Sequence, residues 1–167
     1  AASKSMTVES VEQYYYDVPM GRKTDALVLL LRSLEPKLSM VFCNTKKMVD
    51  ELTDSLVSKG FRAAGLHGDM KQQSRTQTLN AFKSGRINIL IATDVAARGI
   101  DIDGIDAVFN YDIPQDNEYY IHRIGRTGRA GKTGCAYTLA GGRRQIHELK
   151  ELARFVKADI SERELPT

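Results

Sequence analysis

The sequence predicts an α/β fold: a mostly parallel sheet of about six or seven strands with helices on both faces. Three observations carry that expectation. Segments with strand chemistry alternate with segments whose apolar residues recur at helical spacing, and the connections between them are a few residues long. Residues 88–93, in addition, are apolar almost throughout, as in a strand buried on both faces. With 167 residues, 42% hydrophobic and 27% charged, the chain is long enough to bury a core, which excludes disordered and disulfide-stapled classes.

Residues 1–10, polar and small, read as a flexible linker or expression remnant, and one domain is expected over 11–167. Residues 11–18 are β-branched and aromatic and end at Pro19, which marks a strand; three tyrosines at 14–16 alternate faces, so at least one points inward. Apolar positions at helical spacing over 23–34, closed by Pro36, give a helix. After a short strand over 39–44, the helix over 46–59 aligns Met48, Val49, Leu52, Leu56 and Val57 and stops at Gly60. A strand over 62–66 leads to a helix over 71–84, with Leu79 and Phe82 inward and Gly85 as its cap. Strands over 88–93 and 106–111, a short helix over 117–124, a strand over 134–139 and a closing helix over 143–156 complete the pattern. Ligands of such sheets gather at the carboxyl ends of strands, which directs attention to His67-Gly68-Asp69, Thr93-Asp94 and the residues after Tyr111.

Cys43 and Cys135 lie far apart inside strands and read as core residues, while His67, His122 and His147 are scattered; no metal site is expected. The longest apolar run, 26–31, is too short to cross a membrane, and 1–10 lacks the apolar stretch of a secretory signal, so a cytoplasmic location is expected. No sustained heptad pattern is present, and a monomer is expected. The net charge is only +3, but residues 117–144 carry five arginines and one lysine against the single acid Glu118, an imbalance suited to a polyanion or phosphate partner.

Gly131-Lys132-Thr133 resembles the end of a phosphate loop, yet the position needing the earlier glycine is Arg126, and no Asp-Glu pair follows an apolar strand. The chain alone therefore lacks the parts that bind and hydrolyse a nucleotide. Arg126 and Arg129 carry a different signal. They stand three apart among glycines where a helix ends, so two permanently charged planar forks can converge on a phosphoryl group. Gln72 and Arg75, three apart near a helix start, share one face and form a phosphate cradle, although Asp69 with Gln72 also fits a capping box. Asn44 and Thr45 open a helix, where an amide or hydroxyl bonds either a phosphate or the helix's own first turn.

His-Arg-Ile-Gly-Arg-Thr-Gly-Arg over 122–129, Thr-Asp-Val-Ala-Ala-Arg-Gly-Ile-Asp over 93–101 and Val-Phe-Cys-Asn-Thr over 41–45 stand in an order and spacing that resemble the C-terminal, RecA-like domain of DEAD-box RNA helicases. His67-Gly68-Asp69 and Tyr-Asp-Ile-Pro over 111–114 match as well, and the resemblance runs over 11–167. It implies a RecA-like three-layer sandwich that closes on an N-terminal RecA-like domain around ATP, Mg²⁺ and RNA, the ATP and Mg²⁺ being held mainly by that first domain. By resemblance, Arg126 and Arg129 are the catalytic arginines that reach the γ-phosphate, Asp101 accepts from the ribose and His122 links the two domains. Asn44, Thr45, Gln72, Arg75, Thr93, Arg98 and Gly99 would contact the RNA backbone.

Two rival readings are a binding module without catalysis and a DNA-directed motor. The histidine at 122 argues against the second, because similar motors on DNA more often carry glutamine there. Ala-Gly-Gly-Arg-Arg over 140–144 departs from the threonine-and-proline pattern usual before the last helix.

Overall fold

The computed structural model describes residues 10–19, 21–129 and 133–167. Of the expected linker only Ser10 falls within these residues, and Gly131 and Lys132 lie outside them. Seven strands form one sheet: β1 (Val11–Asp17), β2 (Ser39–Phe42), β3 (Ala63–Leu66), β4 (Ile89–Ala92), β5 (Ala107–Asn110), β6 (Gly134–Ala140) and β7 (Ile160–Glu162). The helices are α1 (Lys23–Leu34), α2 (Lys46–Ser58), α3 (Gln72–Lys83), α4 (Asp94–Ala97), α5 (Asn117–Ile124) and α6 (Gly142–Val156). Strand order is β3-β4-β2-β5-β6-β1-β7, and every pairing is parallel.

Because parallel neighbours need crossovers, helices cover both faces and the strands between them lose their polar face. All four residues of β2, β4 and β5 are buried. On one side Leu27, Leu30 and Leu31 of α1 and Val49, Leu52 and Leu56 of α2 pack against Val41, Ile91 and Phe109. On the other, Phe82 of α3, Tyr120 and Ile124 of α5 and Leu149 and Leu152 of α6 pack against Met40, Leu90 and Val108. The tyrosines at 14–16 divide between these cores, Tyr15 on the second side and Tyr14 and Tyr16 on the first. Cys43 is fully buried, whereas Cys135 is only half-buried. No helix among the described residues is long and apolar enough to cross a membrane.

Every expected strand and helix is present, most of them a residue or two shorter. The expected strand over 39–44 stops at Phe42, and the Asn44 amide leaves the ladder to donate to the Asp112 carboxylate at 2.8 Å. Two elements were not expected. Four residues, as in α4, hold little more than one turn and show no helical period. Strand β7 is three residues with two exposed, so its apolar signal is a single isoleucine.

This topology positions the site. Strands β4 and β5 flank β2, so the loops leaving all three open side by side at the carboxyl edge of the sheet.

Candidate functional site

A cleft of about 660 Å³ lies between α5 with the loop that follows it and the segment Gly99–Asp101. The Asp116 carboxylate caps α5 by accepting from the Tyr119 amide at 2.9 Å, and the chain then turns at Gly125. Thr127 is buried and donates its hydroxyl to the Ile105 carbonyl, which anchors the arginine loop to the segment before β5. Gly128 follows with φ +69°, and a Cβ there would stand 2.8 Å from the Ser10 carbonyl oxygen, so the tight turn requires glycine.

Both motif arginines point back across the cleft to one short segment. Arg126 donates to the Ile100 carbonyl, and Arg129 pairs with the Asp101 carboxylate at 2.6 Å. The left-handed Gly99, φ +81°, turns the chain just before these two acceptors. Burial, and then the neighbouring Arg129 charge, pull the Arg126 guanidinium below its usual pKa, so the site already holds partly desolvated positive charge. Asp101 is exposed. His122 is exposed on α5 and lines the same cleft, and its side chain makes no hydrogen bond among the described residues.

Arg123, which the sequence reading passed over, holds this region together. Its side chain is fully buried, and all five N–H donors of the guanidinium have acceptors. Nε and Nη2 reach the two Asp94 oxygens at 2.7 and 2.8 Å, and Nη2 also donates to Asn44 Oδ1 at 2.7 Å. Nη1 donates to the Asp112 carbonyl at 2.8 Å and to Asn110 Oδ1 at 3.4 Å, while the Phe42 ring lies 5.4 Å from the guanidinium carbon. One side chain thus ties the ends of β2, β4 and β5 to α5. A signal was present: Tyr120, Arg123 and Ile124 share the buried face of α5, and a charge at such a position demands partners.

The residues expected to touch RNA fall in two groups. Thr93 caps α4 by accepting from the Ala96 amide at 3.3 Å, and the Arg75 guanidinium reaches the Ala96 carbonyl at 3.4 Å, so α3 and α4 are adjacent. Gln72, Arg75, Thr93, Arg98 and Gly99 therefore lie on neighbouring segments, with Gln72, Arg98 and Gly99 exposed. Gln72 donates to Thr76 Oγ1 at 3.4 Å. The capping box does not form: the residue before α3 is Lys71, and Asp69 instead pairs with Lys46 at 2.8 Å. That pairing holds the Asp69 carboxyl below its usual range. His67 is buried, accepts from the Asp69 amide at Nδ1 and meets Asp50 through Nε2 at 2.9 Å, which fixes the turn leading to α3.

The second group, Asn44 and Thr45, sits at the end of β2. The Asn44 amide is committed to Asp112, and its side chain is committed at both ends, donating to the Ile113 carbonyl at 2.9 Å and accepting from Arg123. One of the two Asn44 side-chain amide protons is left without an acceptor among the described residues. Thr45 caps α2 by accepting from the Met48 amide at 3.1 Å, which leaves its own hydroxyl proton facing solvent.

The sequence model of the helicase conserved C-terminal domain family matches residues 22–131. DEAD-box ATP-dependent RNA helicase CshA of Geobacillus kaustophilus is 49% identical over 165 residues, which are 99% of this chain and 35% of that relative, so the chain spans about a third of its length. Among solved structures, S. cerevisiae Dbp5 bound to RNA and ADP BeF3 aligns with a TM-score of 0.90 at 33% identity, covering 97% of this chain and 44% of that one. The E. coli DEAD-box protein SrmB, bound to regulator of ribonuclease activity A, aligns with a TM-score of 0.85 at 39% identity over 92% of this chain and 90% of that one. With its seven-stranded parallel sheet and the motif segments gathered at one edge, this chain belongs to the helicase conserved C-terminal domain family and is a C-terminal, RecA-like domain of the DEAD-box RNA helicase kind.

Proposed function

We propose that this domain is the second motor half of an ATP-dependent RNA helicase, closing on an N-terminal RecA-like domain around ATP and RNA. The observation that carries the reading is the convergence of Arg126 and Arg129 on one cleft with Asp101 beside them. Two guanidinium forks suit the phosphates, and a carboxylate suits a vicinal hydroxyl pair. Among the described residues no group of three His, Cys, Asp or Glu side chains stands close enough to hold an ion by itself. In this reading Mg²⁺ travels with the triphosphate, held mainly by the first domain.

In the unliganded domain Asp101 neutralises Arg129. That pair is solvent-exposed, and such pairs contribute only about 0–1 kcal/mol, so exchanging it for ribose and phosphate contacts costs little. On closure Arg126 and Arg129 reach the γ-phosphate, where they stabilise the charge that develops as it leaves. His122, exposed on the same face of α5, meets the first domain. Asn44, Thr45, Gln72, Arg75, Thr93, Arg98 and Gly99 hold one RNA strand by its backbone. Strand separation follows from bending that strand, and hydrolysis resets the open state.

The isolated domain then has no ATPase activity and only weak, salt-sensitive RNA affinity. Mixed with a separately produced first domain, it should restore RNA-stimulated ATPase, and Arg126→Ala or Arg129→Ala should lower kcat by about 10³-fold. Turnover untouched by both changes would overturn the arginine assignment. No turnover in the wild-type mixture would favour a binding module without catalysis.

A further inference from the structure

A second groove, about 680 Å³ in volume, runs between α6 and the loop that enters α5, and it shares no lining residue with the arginine cleft. Its apolar part is made by Ile113, Pro114, Leu152 and Phe155. Phe155 is 73% exposed, more than any other large hydrophobic side chain among the described residues. An aromatic ring left in water beside an apolar depression is the pattern of a surface that another chain covers.

The chemistry of the rim selects the partner. Asp112, Asp116, Glu148 and Glu151 line the groove, and no lysine or arginine does, although the whole chain carries a net charge of +3. Asp112 and Asp116 each spend one oxygen on a backbone amide, of Asn44 and Tyr119, and keep the other. Glu148 and Glu151 face Arg144 and Arg154 of their own helix at 3.6 and 2.8 Å, in exposed pairs that exchange at little cost. Four carboxylates against the two arginines that face them leave the rim net negative, which disfavours nucleic acid. A guanidinium finds both of its preferred surfaces there, a carboxylate to fork onto and an aromatic face to stack on.

We propose that this groove docks a basic linear segment of a partner polypeptide, one whose arginines meet the carboxylates while an apolar side chain enters beside Phe155. None of the arginine-cleft residues lines this groove, and of the residues read as RNA contacts only Asn44 does.

The test titrates the 167-residue chain, ¹⁵N-labelled, with a synthetic peptide of about a dozen residues that alternates arginine with small polar residues around one leucine. Control peptides replace the leucine by serine or the arginines by glutamate. Amide shifts confined to 112–117 and α6 are expected, with affinity lost on either peptide change. Phe155→Ala and the double change Glu148→Lys, Glu151→Lys should each weaken binding by about tenfold. Both alter exposed positions, so unchanged spectra elsewhere in the chain report an intact fold. Shifts that map to the arginine cleft, binding insensitive to both variants, or no binding of the leucine peptide up to about 1 mM would each overturn the proposal. So would sedimentation showing that the chain self-associates through Phe155, which would assign the groove to a second copy.

Discussion

A guanidinium shut away from water is tolerated only when every N–H meets an acceptor, and Arg123 satisfies that condition with groups from three strand ends. The arrangement depends on the planar fork, which a lysine cannot reproduce, so charge alone will not substitute. Arg123→Lys should destabilise the domain by about 3–5 kcal/mol, because Asp94 and Asn44 lose their partner inside the protein. Urea denaturation measures this, and a loss below about 1 kcal/mol would show that the buried pair is dispensable. The pair Arg123→Met with Asp94→Leu should cost less than Arg123→Lys, since no charge is then stranded.

At the scale of elements, the arginine loop and strand β6 are locked by a backbone crossing. A Cβ at Gly134, the first residue of β6, would collide with the Thr127 hydroxyl oxygen and the Gly128 amide nitrogen. Backbone cannot yield as a side-chain tip can, so Gly134→Ala should cost more than about 3 kcal/mol or else push the loop off its seat. Thermal melting and RNA-stimulated ATPase of the two-domain mixture together would distinguish these outcomes, and a variant normal in both would refute the crossing. The elements themselves were legible wherever an apolar period ran for two turns or a strand was wholly apolar, as in α2, α6 and β4. Short α4 and β7 carry no period to read. The cleft was legible for a related reason: Arg126 and Arg129 alternate with glycines inside one stretch of sequence. Arg123 was not, because its partners Asn44 and Asp94 lie 79 and 29 residues away and only the sheet order brings them together. The capping box failed because the Asp69 carboxylate is drawn to Lys46 across the turn instead of to its own helix.

The whole molecule buries neutral acids as well as charges. Burial raises the Cys43 thiol and the Tyr120 phenol far above their usual ranges, and Tyr120 spends its proton on Gln13 at 2.6 Å. Both groups keep their protons in the folded state at a pH where the unfolded chain releases them. The unfolded state then binds fewer protons, so stability is complete at neutral pH and falls as the pH rises, past about 9 for Cys43 and past about 10 for Tyr120, by about 1.4 kcal/mol per unit for each group. Urea midpoints between pH 7 and pH 10 measure this, and a flat profile would contradict it. Strand β1 has a consequence of another kind. It lies between β6 and β7, with Val11 opposite Gly134 and Gln13 opposite Ile160. During synthesis the earliest strand of the domain thus waits, with both hydrogen-bonding edges open, until more than a hundred later residues have left the ribosome. The domain cannot complete its sheet before its last two strands emerge, and until then both edges of β1 are open to pairing with another chain.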